Sequence, residues 1–277
     1  MLFRSVNGVT INGASSSGSE LQGLVLTGNI VINPQKADNI RFIRNQFANQ
    51  GLSINQGNVI YTGYLFEGNW FDNSAVYAST SSTYQNFIFQ NNIFFESGCC
   101  RDANIASFTN SVNVLFNHNL WYGPAIGNTR NCFTDNCRFL NLTNNIFVNR
   151  NPANSNSLSN FTNNITFNAG DNTPWASNGN VNGGGNVSNQ SPQMVAQTSV
   201  NNGTNNPTLD FTIAAGSANN SASDGKDMGL MYDAVGSLNW ANSRISRLPF
   251  IFSMNITNPT ISQGGSMEVK VEARKNN

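Results

Sequence analysis

Six segments of this chain repeat one pattern: an aromatic residue three positions before an asparagine, and another usually two positions after it. They run Ile40-Arg41-Phe42-Ile43-Arg44-Asn45-Gln46-Phe47, Tyr64-Leu65-Phe66-Glu67-Gly68-Asn69-Trp70-Phe71, and Phe87-Ile88-Phe89-Gln90-Asn91-Asn92-Ile93-Phe94. The others are Val114-Leu115-Phe116-Asn117-His118-Asn119-Leu120-Trp121, Leu140-Asn141-Leu142-Thr143-Asn144-Asn145-Ile146-Phe147 and the weaker Ser159-Asn160-Phe161-Thr162-Asn163-Asn164-Ile165-Thr166. The key asparagines, Asn45, Asn69, Asn92, Asn119, Asn145 and Asn164, are separated by 24, 23, 27, 26 and 19 residues. Self-similarity at such a period is the signature of a repeat architecture. One turn of a parallel β-helix takes about this much chain, and the expected fold is all-β, a right-handed parallel β-helix. Earlier copies are expected at Asn12 and Asn29, with shorter spacing.

The pattern predicts columns. Stacked strands lie about 4.8 Å apart, so equivalent side chains sit above one another. Phe42, Phe66, Phe89, Phe116, Leu142 and Phe161 should form one interior stack, and Phe47, Phe71, Phe94, Trp121 and Phe147 a second, each ring burying a large area. The asparagine column suits a bend between strands. Asparagine tolerates the left-handed backbone there, and its amides can hydrogen-bond from turn to turn. A structural role for these asparagines is therefore favoured over a binding one. The short strands alternate in polarity between Gly, Asn and Ser breaks, and no segment sustains a helical period.

Composition narrows the function. Only 10% of residues are charged and the net charge is zero, where a soluble protein carries roughly 25%. Clustered Lys and Arg are what phosphate binding requires, so neither nucleic acid nor acidic lipid is an expected partner. The chain solvates itself with 51 asparagines instead, and its 39% hydrophobic content gives it a core to bury. No apolar run approaches the 18 or so residues of a membrane span. No signal peptide is legible either: Met1-Leu2-Phe3-Arg4 leads straight into strand-like Val6-Asn7-Gly8-Val9-Thr10-Ile11, so a signal and first coils are expected to have been removed or to lie outside this sequence.

The four cysteines, Cys99, Cys100, Cys132 and Cys137, fall within 39 residues. Cross-links between Cys99/Cys100 and Cys132/Cys137 in an oxidising compartment are the expectation, with three connectivities open. The spacing lacks the C-x₂-C form of a zinc site.

Beyond the repeats, residues 168–206 are rich in Asn, Gly and Ser and have no assigned place. Then come Asp210-Phe211-Thr212-Ile213-Ala214-Ala215-Gly216-Ser217-Ala218 and Asp224-Gly225-Lys226-Asp227-Met228-Gly229. With the coil pattern these resemble the secreted bacterial pectate-lyase-like parallel β-helix proteins, whose last coils read D-F-x-L-x-x-G-S-P-A and then D-G-x-D-I-G. The match holds at Asp-Phe, Gly-Ser and Asp-Gly-x-Asp and departs at Ala218-Asn219. The resemblance covers roughly residues 6–240. It implies the fold, secretion from a bacterium and a terminal coil at 210–233; the group mixes lyases, hydrolases and adhesins, so it implies no one activity. The β-helix is expected over 1–245 and a C-terminal antiparallel strand extension over 246–277. There Met267-Glu268-Val269-Lys270-Val271-Glu272-Ala273-Arg274 alternates strictly, a strand with one buried face. Met267, Val269, Val271 and Ala273 are the candidates for pairing with a neighbouring subunit, against the alternative of a hairpin packed on its own chain.

Lyases and hydrolases on this fold need charged residues converging on one face. The column before the key asparagines holds Arg44, Gly68, Asn91, His118, Asn144 and Asn163, and the one before that Ile43, Glu67, Gln90, Asn117, Thr143 and Thr162. Neither is a carboxylate cluster. The best catalytic constellation is Glu67, Glu96, Arg101, Asp102 and His118, without a motif to support it, and a hydrogen-bonded surface role is favoured for His118, the single histidine. No metal or other cofactor is expected. Asp224, Asp227 and Asp233 have the oxygens calcium takes, but their place in the terminal motif favours a structural role. Threonines out of register argue against ice binding. The leading expectation is a non-catalytic extracellular structural protein, self-assembling head-to-tail into a fibre or acting as a surface adhesin, whose partner is itself or a polysaccharide. The alternative is a carbohydrate-active enzyme or a monomeric glycan-binding module.

Overall fold

The computed structural model describes residues 4–32, 37–54, 57–97, 104–125, 130–231, 250–256 and 269–274. Cys99, Cys100, Arg101, Asp102, Asp233 and Met267 lie outside them. The chain divides into two units, Met1–Arg244 and Ile245–Asn277.

The first unit is a parallel β-solenoid of about seven turns. Three walls carry it. Wall 1 stacks Glu20–Gln22, Arg41–Ile43, Leu65–Glu67, Ile88–Gln90, Val114–Asn117, Leu140–Thr143, Asn160–Thr162 and Val181–Asn182. Wall 2 stacks Arg4–Val6, Leu24–Leu26, Gln46–Ala48, Trp70–Asp72, Ile93–Phe95, Leu120–Tyr122, Ile146–Val148 and Ile165–Phe167. Wall 3 runs from Val9–Ile11 to Phe133–Thr134. Short strands at Ile60–Thr62, Thr83–Gln85 and Ser111–Val112, followed by the pair Cys137–Arg138 and Asn156–Ser157, lead back to wall 1.

Register puts the predicted columns in place. Phe66 pairs with Phe42 on one side and Phe89 on the other, and Phe71 with Phe47 and Phe94. The rings of Phe42, Phe66, Phe89 and Phe116 follow one another at 5.0, 4.4 and 4.4 Å, nearly parallel. Phe47, Phe71, Phe94, Trp121 and Phe147 follow at 4.5, 4.7, 4.5 and 4.8 Å. Strand spacing sets these separations, so the stacking comes without further ordering of the chain.

The key asparagines form a continuous buried ladder. Asn69 Oδ1 accepts from the backbone N–H and Nδ2 of Asn45, Asn92 Oδ1 from those of Asn69, and so on through Asn119, Asn145, Asn164 and Asn186. Each Nδ2 also donates to a backbone carbonyl one turn earlier, as from Asn92 to Phe66 at 2.9 Å. The left-handed backbone belongs to the preceding residue: Arg44, Gly68, Asn91, His118, Asn144 and Asn163 all have φ between 51 and 64°. This corrects the expectation that one residue does both jobs. The bend spends its positive φ one position earlier, freeing the asparagine to turn its amide inward. Asn12 and Asn29 are not ladder members. Asn29 precedes the wall 3 strand Ile30–Ile32 and Asn12 follows Val9–Ile11, while Leu24, whose N–H donates to Asn45 Oδ1 at 3.0 Å, holds the ladder position in that turn.

Wall 2 differs from wall 1. Its outward columns, including Ile93, Phe95, Leu120, Tyr122, Ile146 and Val148, are apolar and buried. Their cover is a strap, residues 194–231, packed through Met194, Val200, Phe211, Ala218, Met228 and Leu230. The first pass includes the helix Gln197–Asn201 and reaches Asp72, whose Oδ1 accepts from Asn205 Nδ2 at 2.9 Å. The chain then returns, bridging Met194 to Ile213, and descends again until the Met231 N–H donates to Asn91 Oδ1 at 2.8 Å. Residues 210–231 therefore close no further turn, contrary to the expected terminal coil; an apolar outer wall drew them back along the solenoid instead.

In the second unit, Phe250–Ile256 and Val269–Arg274 pair antiparallel, with Ile251 opposite Ala273, Met254 opposite Val271 and Ile256 opposite Val269. Among the described residues, no helix is long and apolar enough to cross a membrane.

Candidate functional site

The residues singled out for chemistry are dispersed. Glu67 lies on the outward face of wall 1, where Gln90 Nε2 donates to its Oε2 at 2.9 Å. Glu96 is buried at the corner after wall 2. His118 is at the opposite corner, between walls 1 and 2. Arg101 and Asp102 fall outside the described residues. Among the described residues, no group of three His, Cys, Asp or Glu side chains converges as a metal site would require. Asp224 Oδ2 is 3.2 Å from His118 Nε2, and Asp227 Oδ1 accepts from the Asn220 N–H at 2.8 Å.

His118 is buried, not at the surface. Its corner column is buried with it: Arg44, Asn91, His118 and Asn144 are all 5% exposed or less. The strap docks along it. Asn163 Nδ2 donates to the Ser221 carbonyl, Asn144 bonds Ser223, and His118 Nδ1 lies 3.0 Å from the Gly229 carbonyl. Left-handed corners point polar side chains outward, and these match the strap's backbone. Gly229 has φ 82° and no space for a Cβ against the Ile146 side chain, so only glycine fits there. Burial pulls the His118 pKa below the usual imidazole value, against the opposing pull of Asp224 and the Gly229 carbonyl.

Cys132 and Cys137 are free, buried thiols, so the cross-links expected at these two positions are not formed. Burial raises both pKa values to about 12. The fully buried Arg150 guanidinium stands beside Cys132. Its Nη2 donates to the Asn131 carbonyl at 2.6 Å and to Asn104 Oδ1 at 3.3 Å. Burial lowers the Arg150 pKa, while Cys132 and the Glu96 carboxylate hold it up.

The surface carries a different feature. Left-handed residues recur where the short strands turn into wall 1: Asn39, Gly63, Asn86, Asn113, Phe139 and Leu158. Four of these are residues for which positive φ is easy. Phe139 and Leu158 are bulky, have φ of 58° and 53°, and are each 49% exposed. A bulky residue in this conformation is strained. Beside them is the outer face of wall 1, with Leu65, Ile88, Leu115, Asn141, Asn160 and Val181 in one column. Glu67, Gln90, Asn117, Thr143 and Thr162 form the next. From Leu65 onward, Glu67 is the one charge in these two columns.

No protein-family model matches the chain, and no curated protein matches it.

Proposed function

We propose that this chain is a non-catalytic extracellular solenoid of the pectate-lyase-like kind, acting as an adhesive or structural protein through the outer face of wall 1. The observation that carries the reading is the pair Phe139 and Leu158. Strained, half-exposed apolar residues on successive turns contribute nothing to the core, and strain of this sort persists where a surface is used. The flanking amides and hydroxyls of Asn141, Asn160, Thr143 and Thr162 offer hydrogen bonds without charge. Such a face suits an uncharged polysaccharide. Apolar side chains meet the faces of sugar rings, and amides meet their hydroxyls.

Extracellular placement rests on the resemblance and the low charge; Cys132 and Cys137 lend it no support. The test is affinity electrophoresis of the whole chain in gels cast with neutral and acidic polysaccharides, comparing Phe139→Asn with the parent. Retardation by a neutral polymer, lost in the variant, supports the reading. No retardation by any polymer refutes the adhesive role, and release of reducing sugar or of 235 nm-absorbing products favours the enzyme.

Head-to-tail assembly remains part of the proposal through the second unit. Val269–Arg274 already pairs with Phe250–Ile256 in its own chain, so bridging a neighbour would use a remaining strand edge. Negative-stain microscopy of the parent and of a chain lacking residues 263–277 tests it. Fibres lost on deletion support strand bridging, and fibres unchanged by deletion exclude it.

A further inference from the structure

The final pass of the strap is held by a titratable contact. The Ser223 N–H donates to Asn144 Oδ1 at 2.8 Å, which fixes the orientation of that amide. Asn144 Nδ2 therefore faces His118 Nε2, 3.2 Å away, and shares its two hydrogens among that nitrogen, Asn117 Oδ1 and Ser223 Oγ, the last two at 3.0 Å. The Gly229 carbonyl, 3.0 Å from Nδ1, can only accept, so Nδ1 carries a proton. The closed strap thus fixes a proton on Nδ1 and sets an amide N–H of Asn144 against Nε2. A second proton on Nε2 would oppose that Asn144 N–H and have Asp224 Oδ2, already 3.2 Å away, as its charged acceptor. Asp224 has 42% of its side chain exposed, while the ring has none. A solvated carboxylate compensates a buried cation poorly.

We infer that His118 is an acid-sensitive latch, whose protonation releases residues 218–231 from the corner between walls 1 and 2. The charged groups acting on the ring are Asp224 and Lys226, both from the strap; its corner-column neighbours Asn91 and Asn144 carry amides. Release uncovers part of the apolar outer face of wall 2, including Ile146, which Gly229 touches. The sign follows from linkage. In the open strap the ring titrates near its ordinary value of about 6.5. In the closed strap burial, the largest influence, lowers it. Between those two values opening takes up a proton, so the closed state is weakened as pH falls from about 6.5 toward the lower value and is unaffected above it.

Hydrogen–deuterium exchange of the full chain tests this between pH 7.5 and 5.0, corrected for intrinsic exchange and read on peptides from 218–231. The parent should show an opening constant rising by up to tenfold per pH unit below about 6.5, the limit for one proton. Peptides from wall 1 serve as the control and should stay protected. His118→Asn keeps the left-handed corner, because asparagine holds that position at Asn91, Asn144 and Asn163, and it should flatten the pH dependence whatever its effect on the baseline. Asp224→Asn should leave the onset near about 6.5 and carry the rise to lower pH than in the parent, because it lowers only the closed-strap value. A parent strap whose opening is flat across this range, or a His118→Asn chain with the parent's slope, overturns the latch.

Discussion

Asn92→Ala is the sharpest perturbation of the ladder. In the native chain Asn92 Oδ1 accepts from the Asn69 N–H at 2.9 Å and from Asn69 Nδ2 at 3.0 Å. Its Nδ2 donates to the Phe66 carbonyl at 2.9 Å and to Asn119 Oδ1 at 3.0 Å. Truncation leaves the Asn119 amide a partner, since the Asn92 N–H still donates to it. It removes the shared acceptor of the buried Asn69 N–H and of one Asn69 Nδ2 hydrogen, and water has no route to a residue that is 0% exposed. Each orphaned buried group costs about 1–3 kcal/mol, so the expected loss is about 2–6 kcal/mol. Asn45→Ala should cost less, because its bonds to Leu21 and Leu24 are only partly buried and water can replace them. The assay is urea unfolding followed by both far-ultraviolet circular dichroism and tryptophan fluorescence, since a solenoid can unfold piecewise and the two probes must agree. A loss below about 0.5 kcal/mol for Asn92→Ala, typical of an ordinary surface substitution, would refute the ladder as a main source of stability.

Other outcomes follow from the same geometry. Arg150→Met removes the buried donor that holds the Asn131 carbonyl and Asn104 Oδ1 and should cost about 1–3 kcal/mol in the same urea assay. Native Cys132 and Cys137 should resist iodoacetamide at pH 8, where thiols titrating near 12 hold almost no thiolate, and should react fully once unfolded; mass spectrometry of the labelled chain reads this. Phe139→Gly should raise stability by about 1–2 kcal/mol through relief of the left-handed strain, while weakening any retention by polysaccharide.

The rungs were legible in the sequence because a solenoid writes its geometry as a period. Phe42, Phe66 and Phe89 recur where the core needs rings, and Asn45, Asn69 and Asn92 where the bend needs amides. The strap was legible in principle. Ile93-Phe94-Phe95, Leu120-Trp121-Tyr122 and Ile146-Phe147-Val148 are apolar at every position, and a strand apolar on both faces must be covered on both. By contrast, Arg41-Phe42-Ile43 or Leu65-Phe66-Glu67 leaves a polar position outward. What no pattern could supply is which distant segment provides the cover. His118 and Asp224 are 106 residues apart, and their meeting depends on a strap with no period of its own. The cysteines misled for a related reason: nearness in sequence said nothing of two thiols each packed into the core.

The same corner residues serve two purposes, and this couples stability to the strap. A left-handed position between walls 1 and 2 is required by every turn, and asparagine or glycine fills it with least strain. Once the strap lies against that column, the outward amides of Asn91, Asn144 and Asn163 become its docking points. Histidine at 118 satisfies the backbone requirement as a left-handed residue but adds a proton-dependent contact that an amide lacks. Replacing it with asparagine would leave the repeat more regular and the bend no worse. The histidine therefore gives the solenoid nothing that its neighbours do not already provide, whereas its contacts with Gly229 and Asp224 are both with the strap. That asymmetry places the pH response in the strap's last pass and leaves the stacked rings and the amide ladder out of it.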